Sequence, residues 1–154
     1  KLPMPTTYKP LTSNDIDTIT LMMQDFYAID GYPMAAEEPK KLFAEFLLDG
    51  NLGKAWLISS GETIAGYVIL TFVFSFEYGG RIAFLDELYI KEEMRGKGIG
   101  KQAIAFVQEE AGKAHVKTVY LEVEPHNEKA QQLYRASGFE MHKRKLMQYK
   151  TNNQ

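Results

Sequence analysis

The chain has 154 residues, 45% of them hydrophobic, enough for one well-filled core but short of two ordinary domains. Eighteen basic against twenty acidic residues leave a net charge of -2, without the positive surplus that nucleic-acid phosphates attract, so no nucleic-acid partner is expected. The absence of cysteine excludes disulfides, thiolate metal sites, iron-sulfur ligation and cysteine nucleophiles, leaving oxygen, nitrogen and backbone groups for any chemistry.

The opening Lys1-Leu2-Pro3-Met4-Pro5 runs into polar sequence and never develops the apolar run of a secretory signal or membrane span. No membrane partner is expected. Residue 1 is lysine, so a targeting segment trimmed from a parent chain stays open, and the cytoplasm is the default expectation. No repeat or long linker divides the sequence. A single domain over residues 1–154 is expected, with the polar residues 150–154 as a frayed tail.

Ile16, Ile19, Met22, Met23 and Phe26 recur at helical spacing between Ser13 and Ile29, with Ser13 or Asn14 placed to accept the first orphan amides. Asp30-Gly31-Tyr32-Pro33 interrupts that pattern. A second helix is predicted from about Pro39, a residue suited to a first helical position, through Leu42, Phe43, Phe46 and Leu47 toward Gly50. The period then changes. Residues 55–58 and 64–70 flank Ser60-Gly61-Glu62 as a hairpin, the second strand reaching Phe74, and Glu77-Tyr78-Gly79-Gly80 turns into a third strand from Ile82 to Ile90. A helix follows from about Gly98 to Ala111, its apolar stripe made of Ala103, Ile104, Val107 and Ala111. Residues 118–123 read as a strand stopped by Pro125, Asn127 to Ser137 as a short helix ending before Gly138, and one or two terminal strands are expected after it. This order demands a mixed α/β sheet, α+β-like in its opening meander, with helices on both faces.

The segment from Leu85 to Gly100 joins an apolar strand to a glycine-rich turn and then to an amphipathic helix. Amides at a helix start converge on phosphate oxygens, and the missing side chains at Gly96, Gly98 and Gly100 allow close approach, with Arg95 and Lys97 adding charge. A flexible strand-to-helix connection uses the same glycines, and spacing alone does not choose between the two. No Gly-Lys-Ser/Thr ending marks a nucleoside-triphosphate loop, and the turn comes too late for an opening dinucleotide-binding unit. His115, His126 and His142 have no metal-ligand spacing, so no metal is expected. No nucleophile elbow is present to support hydrolysis.

At Arg95, Gly98 and Gly100 the chain resembles the GCN5-related N-acetyltransferase (GNAT) superfamily, whose acetyl-coenzyme-A signature reads Arg/Gln-any-any-Gly-any-Gly/Ala. The preceding strand Leu85-Asp86-Glu87-Leu88-Tyr89-Ile90 and the later Asn127, Tyr134 and Gly138-Phe139 extend the resemblance over residues 82 to 142. The resemblance implies the acyl-CoA N-acyltransferase fold, a central mixed sheet in which two neighbouring parallel strands splay apart to admit the pantetheine arm. It implies acetyl-CoA as cofactor, held by backbone groups around Leu88, Tyr89 and Ile90, by the amides of Arg95, Gly96, Lys97, Gly98, Ile99 and Gly100, and by Asn127. Asn127 is equally suited to cap the following helix.

The implied reaction is direct transfer of acetyl to a primary amine. An ammonium of pKa about 10.4 has to lose a proton before it attacks. Glu87 is the leading base, directly or through water, against a structural reading as a paired carboxylate. Asp86 points to the other face of a regular strand, a phase that a bulge would alter, and Glu122 and Glu124 are further candidates. Tyr134 matches the family position that protonates the departing thiolate, although Ala130, Leu133 and Tyr134 share a helical stripe that also fits a core tyrosine. Substrate contacts are expected from Phe26, Tyr27, Asp30, Tyr32, Glu37 and Glu38 and from the Phe72 to Tyr78 hairpin region, including Phe74, the acids and aromatics suiting a small cationic amine. A peptide or protein amine is the alternative acceptor, an inactive acyl-CoA-binding module the alternative function, and a homodimer a further expectation.

Overall fold

The computed structural model describes residues 4–153. Lys1, Leu2 and Pro3 of the opening segment and Gln154 of the expected tail lie outside the described residues. The chain divides into two compact units, one ending at Glu122 and the other beginning at Val123.

The first unit is built on a five-stranded mixed sheet in the order β1-β2-β3-β4-β5. Its strands are β1 (Thr6–Pro10), β2 (Gly53–Ser60), β3 (Thr63–Ser75), β4 (Gly80–Ile90) and β5 (Val119–Tyr120). The first four pair antiparallel and β5 joins β4 in parallel. Three helices accompany them, α1 (Ile16–Ile29), α2 (Glu37–Leu48) and α3 (Ile99–Lys113).

Strand alternation sorts the core onto two faces. Ala55 and Leu57 of β2, Tyr67 and Ile69 of β3 and Tyr89 of β4 pack with Ile19, Met22 and Met23 of α1 and Phe43 of α2. On the other face Trp56 meets Phe106 of α3 edge-on at 5.1 Å, and Tyr8 of β1 stacks on the same ring at 3.9 Å. The predicted stripe of α3, Ala103, Ile104, Val107 and Ala111, is buried. Helices therefore cover both faces, as the element order requires.

Several local expectations are corrected. Residues 6–10 form an edge strand, although their polar letters show no apolar alternation; backbone pairing of Thr6↔Ser60 through Pro10↔Trp56 holds them. Ser13 and Asn14 sit in a short 3-10 turn (Ser13–Asp15) and do not cap α1. Asp15 instead reaches back to the Thr12 amide at 3.0 Å and pairs with Lys9, and this lysine holds the Asp15 carboxyl below its usual pKa. Pro39 is the third residue of α2, where its missing N–H is still one of the unpaired amides of the first turn. The strand expected over residues 118–123 shrinks to Val119–Tyr120.

One irregularity in β4 shapes everything near it. Ile69 pairs with Glu87 and Leu70 with Leu85, so Asp86 is an extra, bulged residue. Leu85 and Glu87 consequently lie on opposite faces, and Glu87 joins the α1 side with Tyr67 and Tyr89. Nearby, Gly66 lets β3 approach β4 closely: a Cβ there would fall 1.9 Å from the Tyr89 carbonyl oxygen.

The second unit contains α4 (Glu128–Ala136). The Asn127 side chain caps it, accepting from the Ala130 amide at 3.1 Å. At its other end the Gly138 amide donates to Arg135 and the Phe139 amide to Tyr134, each at 3.0 Å, with Gly138 at φ +96. This is a Schellman end, and the Tyr134 and Phe139 rings complete it by meeting edge-on at 5.8 Å. The expected terminal strands do not form; residues 139–153 carry no helix or strand. Leu146, Met147 and Tyr149 are exposed there, so no burial of an apolar face compensates the entropy of ordering a strand.

Among the described residues no helix is long and apolar enough to cross a membrane. Thr20 in α1 is buried and its hydroxyl has no partner among the described residues. Thr20→Val, which removes that unsatisfied group at nearly constant volume, is expected to raise unfolding stability by about 1 kcal/mol in a urea titration; a loss of stability would contradict the assignment.

Candidate active site

The sheet and the end of α1 enclose a cleft of about 320 Å³ lined by Phe26, Tyr27, Asp30, Tyr32, Asp86 and Glu87. Five of these are site residues expected from the sequence, and the sixth, Asp86, is brought in by the bulge. Both carboxylate oxygens of Glu87 accept tyrosine hydroxyls, Oε1 from Tyr67 at 2.7 Å and Oε2 from Tyr27 at 2.8 Å. Tyr67 is fully buried and was not among the expected site residues. The sequence signal for it is a polar-tipped residue within the apolar run from Ile64 to Leu70, visible only once the register with Glu87 is known.

Burial raises the Glu87 pKa above its ordinary value, the two tyrosine hydrogen bonds oppose that rise, and repulsion from Asp86 adds to it. Burial raises both tyrosines in turn, and the Glu87 charge reinforces it, so each hydroxyl keeps its proton as a donor. Asp86 is raised first by partial loss of water and then by Glu122. Its side chain still reaches solvent, so these effects act on a partly screened charge.

Three expected substrate contacts fall elsewhere. Glu37 and Glu38 occupy the exposed first turn of α2, where acids favour the positive helix end. Phe74 is 69% exposed and packs edge-on against Phe76 at 5.4 Å. None of the three lines the cleft.

Beyond β4 the chain makes a 3-10 turn (Glu92–Met94), the glycine turn, and then α3. Gly96 and Gly98 adopt φ +76 and +79, and apart from its chain neighbours no atom lies within 4 Å of where a Gly96 Cβ would be. Gly98 is the N-cap of α3, and the first helical amide bond is Gln102 to the Gly98 carbonyl at 3.1 Å. The Ile99, Gly100 and Lys101 amides thus head the helix without intrahelical partners. Ile99 is buried beneath them, and Lys97 is exposed. An open, amide-lined cradle at a positive helix end fits a pyrophosphate. The Arg95 side chain has a local role as well: its Nε donates to the Ile90 carbonyl at 2.9 Å and its guanidinium lies 5.8 Å from the centre of the Tyr89 ring. It braces the turn against the strand.

The parallel ladder between β4 and β5 ends at Phe84↔Tyr120. From Leu85 to Ile90, including the partly buried Leu88 and Ile90, β4 has no rung from the two-residue β5. Tyr89 is buried with its ring toward the α1 core. Asn127 and Tyr134 belong to the second unit, where burial raises the Tyr134 pKa.

The profile of the Acetyltransferase (GNAT) family matches residues 18–139. The chain belongs to the GNAT family. A Bos taurus protein named thialysine N-epsilon-acetyltransferase is 36% identical over 78 residues, 51% of this chain and 45% of that protein. The GNAT chain thus spans about half the length of such curated relatives. A solved integron cassette protein from a salt-marsh metagenome superposes with TM-score 0.84 at 28% identity, over 93% of this chain and 89% of the other. An aminoglycoside N-acetyltransferase solved in complex with CoA shares the fold at TM-score 0.79 and 16% identity, over 98% and 97% of the two chains.

A carboxyl whose pKa is raised on folding holds its proton more tightly in the folded state. Its contribution favours folding at low pH and is lost as pH climbs through the folded value. Asp86→Asn is therefore expected to leave the melting temperature nearly unchanged at about pH 3 and to raise it at about pH 8. Equal shifts at both pH values would count against the raised pKa.

Proposed function

We propose that this GNAT protein transfers an acetyl group from acetyl-CoA directly to the amine of a small cationic molecule. The observation that carries the reading is Glu87, a carboxylate of raised pKa held in an aromatic-walled cleft on the strand that leads into the glycine turn. Acetyl-CoA, when bound, supplies a thioester carbonyl open to attack by a neutral amine.

The protein's own groups take the remaining tasks. The Gly96 to Lys101 amides are suited to hold the pyrophosphate without side-chain obstruction, and the unladdered edge of β4 around Leu88 and Ile90 offers backbone groups to the pantetheine arm. Asp30, Asp86 and Glu87 attract an ammonium group, while Phe26, Tyr27 and Tyr32 give its carbon skeleton an apolar and cation-favouring wall. At neutral pH only about one lysine-like amine in 2,500 is unprotonated. A base whose pKa has moved toward neutrality removes that proton more effectively than an ordinary carboxylate. Tyr134 is assigned as the acid for the leaving thiolate from the family motif and from a hydroxyl that stays protonated at neutral pH. The relatives named for thialysine and aminoglycoside acetylation support amines as the acceptor class.

Mass analysis of products formed from acetyl-CoA and a panel of diamines, amino acids, aminoglycosides and peptide amines tests the reading directly. Acetylated small amines are expected; product only from peptides would reassign the acceptor, and cofactor binding without any product would leave a binding module. Gly98→Leu is expected to weaken acetyl-CoA at least about tenfold by calorimetry, since the side chain fills the cradle and strains a left-handed position by about 1–2 kcal/mol. Unchanged affinity in the folded variant would remove the cradle assignment. Tyr134→Phe is expected to lower turnover by about 100-fold with acetyl-CoA affinity retained; near-normal turnover across the pH range would end its role as acid.

A further inference from the structure

The two tyrosines on Glu87 are not equivalent. Tyr67 is fully buried and lines no part of the cleft, whereas Tyr27 is half-buried and forms part of its wall. A phenol has one proton to donate and lone pairs with which to accept. Because the Tyr27 proton is committed to Glu87 Oε2 at 2.8 Å, its oxygen can offer a ligand acceptor capacity only. An ammonium group, with donors and no acceptor, is the complement of that oxygen. Glu87, in turn, has a hydroxyl on each oxygen before any substrate arrives.

We propose that Tyr27 is the group that meets the acceptor amine, that Glu87 is the proton sink behind it, and that Tyr67 is the positioning residue that fixes Glu87 for the transfer. The inference rests on the amine-acetylation reading above. In the step, one ammonium N–H bond breaks and its proton joins the Tyr27 oxygen, while the Tyr27 O–H proton moves to Glu87 Oε2. The nitrogen keeps the electron pair of the broken bond and becomes the nucleophile. Tyr27 is neutral before and after, and Glu87 passes from carboxylate to carboxylic acid until solvent takes the proton.

The groups facing Glu87 are Tyr27 from α1, Tyr67 from β3 and Asp86 from β4, and Asp30 and Tyr32 from the segment after α1 line the same cleft. Both hydroxyls favour the ionised carboxylate, so removing either one makes Glu87 harder to ionise and moves the acid limb of kcat to higher pH.

The test combines a carbon-13 NMR titration of Glu87 in ligand-free protein with kinetics on the panel amine giving most product. In Tyr67→Phe the Glu87 midpoint and the acid limb of kcat are expected to rise together; an unmoved midpoint overturns the positioning role. In Tyr27→Phe, kcat is expected to fall at least about 30-fold with KM within about threefold. If Tyr27→Phe keeps kcat within about threefold while Glu87→Gln abolishes turnover, the amine gives its proton to Glu87 directly and the relay is overturned while the base survives. Turnover retained by Glu87→Gln overturns Glu87 as the proton sink and the relay with it, while amine acetylation stands; no product from any panel amine sinks the underlying reading itself. Folding of each variant is checked by its melt. Should Tyr27→Phe not fold, a difluorotyrosine at position 27 keeps the ring and hydroxyl but makes the phenol more acidic; an unchanged kcat profile would then overturn the relay.

Discussion

A carboxylate set against the apolar face of a sheet loses much of its hydration and has to recover it from fixed donors or give up its charge. In this protein the donors are Tyr27 and Tyr67, one from a helix and one from the neighbouring strand, and they occupy both oxygens of Glu87. The arrangement requires α1 to lie across β3 and β4 at one particular depth. Packing of Ile19, Met22 and Met23 against Tyr67, Ile69 and Tyr89 supplies that depth. Core and site are thus set by the same contacts, and a shift of α1 that disturbed one would disturb the other.

Strand β4 and the turn that follows it carry different electrostatic characters. The strand presents acids to the cleft, while the turn beyond it presents amides and a positive helix end. Groups suited to a cation and groups suited to an anion therefore lie a short chain distance apart in a chain whose net charge is only -2. Arg95, which the bare motif offers as a phosphate partner, is used to tie the turn to the Ile90 carbonyl. The first amides of α3 place oriented backbone dipoles beside that turn, which do not depend on a flexible side chain.

Much of this was legible in the letters. The helical periods of α1 and α3, the hairpin at Ser60-Gly61-Glu62 and the glycine turn all have strong local causes, and the structure contains each of them. The cleft residues Phe26, Tyr27, Asp30, Tyr32 and Glu87 were likewise legible, through residue type and the family pattern. What escaped depends on pairing across the sheet. Strand β1 has no apolar alternation and exists because β2 offers it a ladder. Tyr67 looks like one more β-forming residue until Glu87 is placed beside it. Conversely, the one or two strands expected after Gly138 do not form, since β propensity alone does not bury a face. Glu37, Glu38 and Phe74 had suitable chemistry, and local sequence could not say that they would stand outside the lining of the cleft.

The bulge at Asp86 separates what the sheet needs from what the cleft uses. Ile69↔Glu87 and Leu70↔Leu85 would be consecutive rungs of an unbroken antiparallel ladder if Asp86 were taken out. Every other side chain of β4 would keep its present face, so neither buried layer calls for the additional residue. In this strand an insertion of one codon adds a second acid to the cleft without re-phasing the residues on either side. Change of that kind is open to a sheet at a bulge and at few other places, because elsewhere a single added residue inverts the inside and outside of everything that follows.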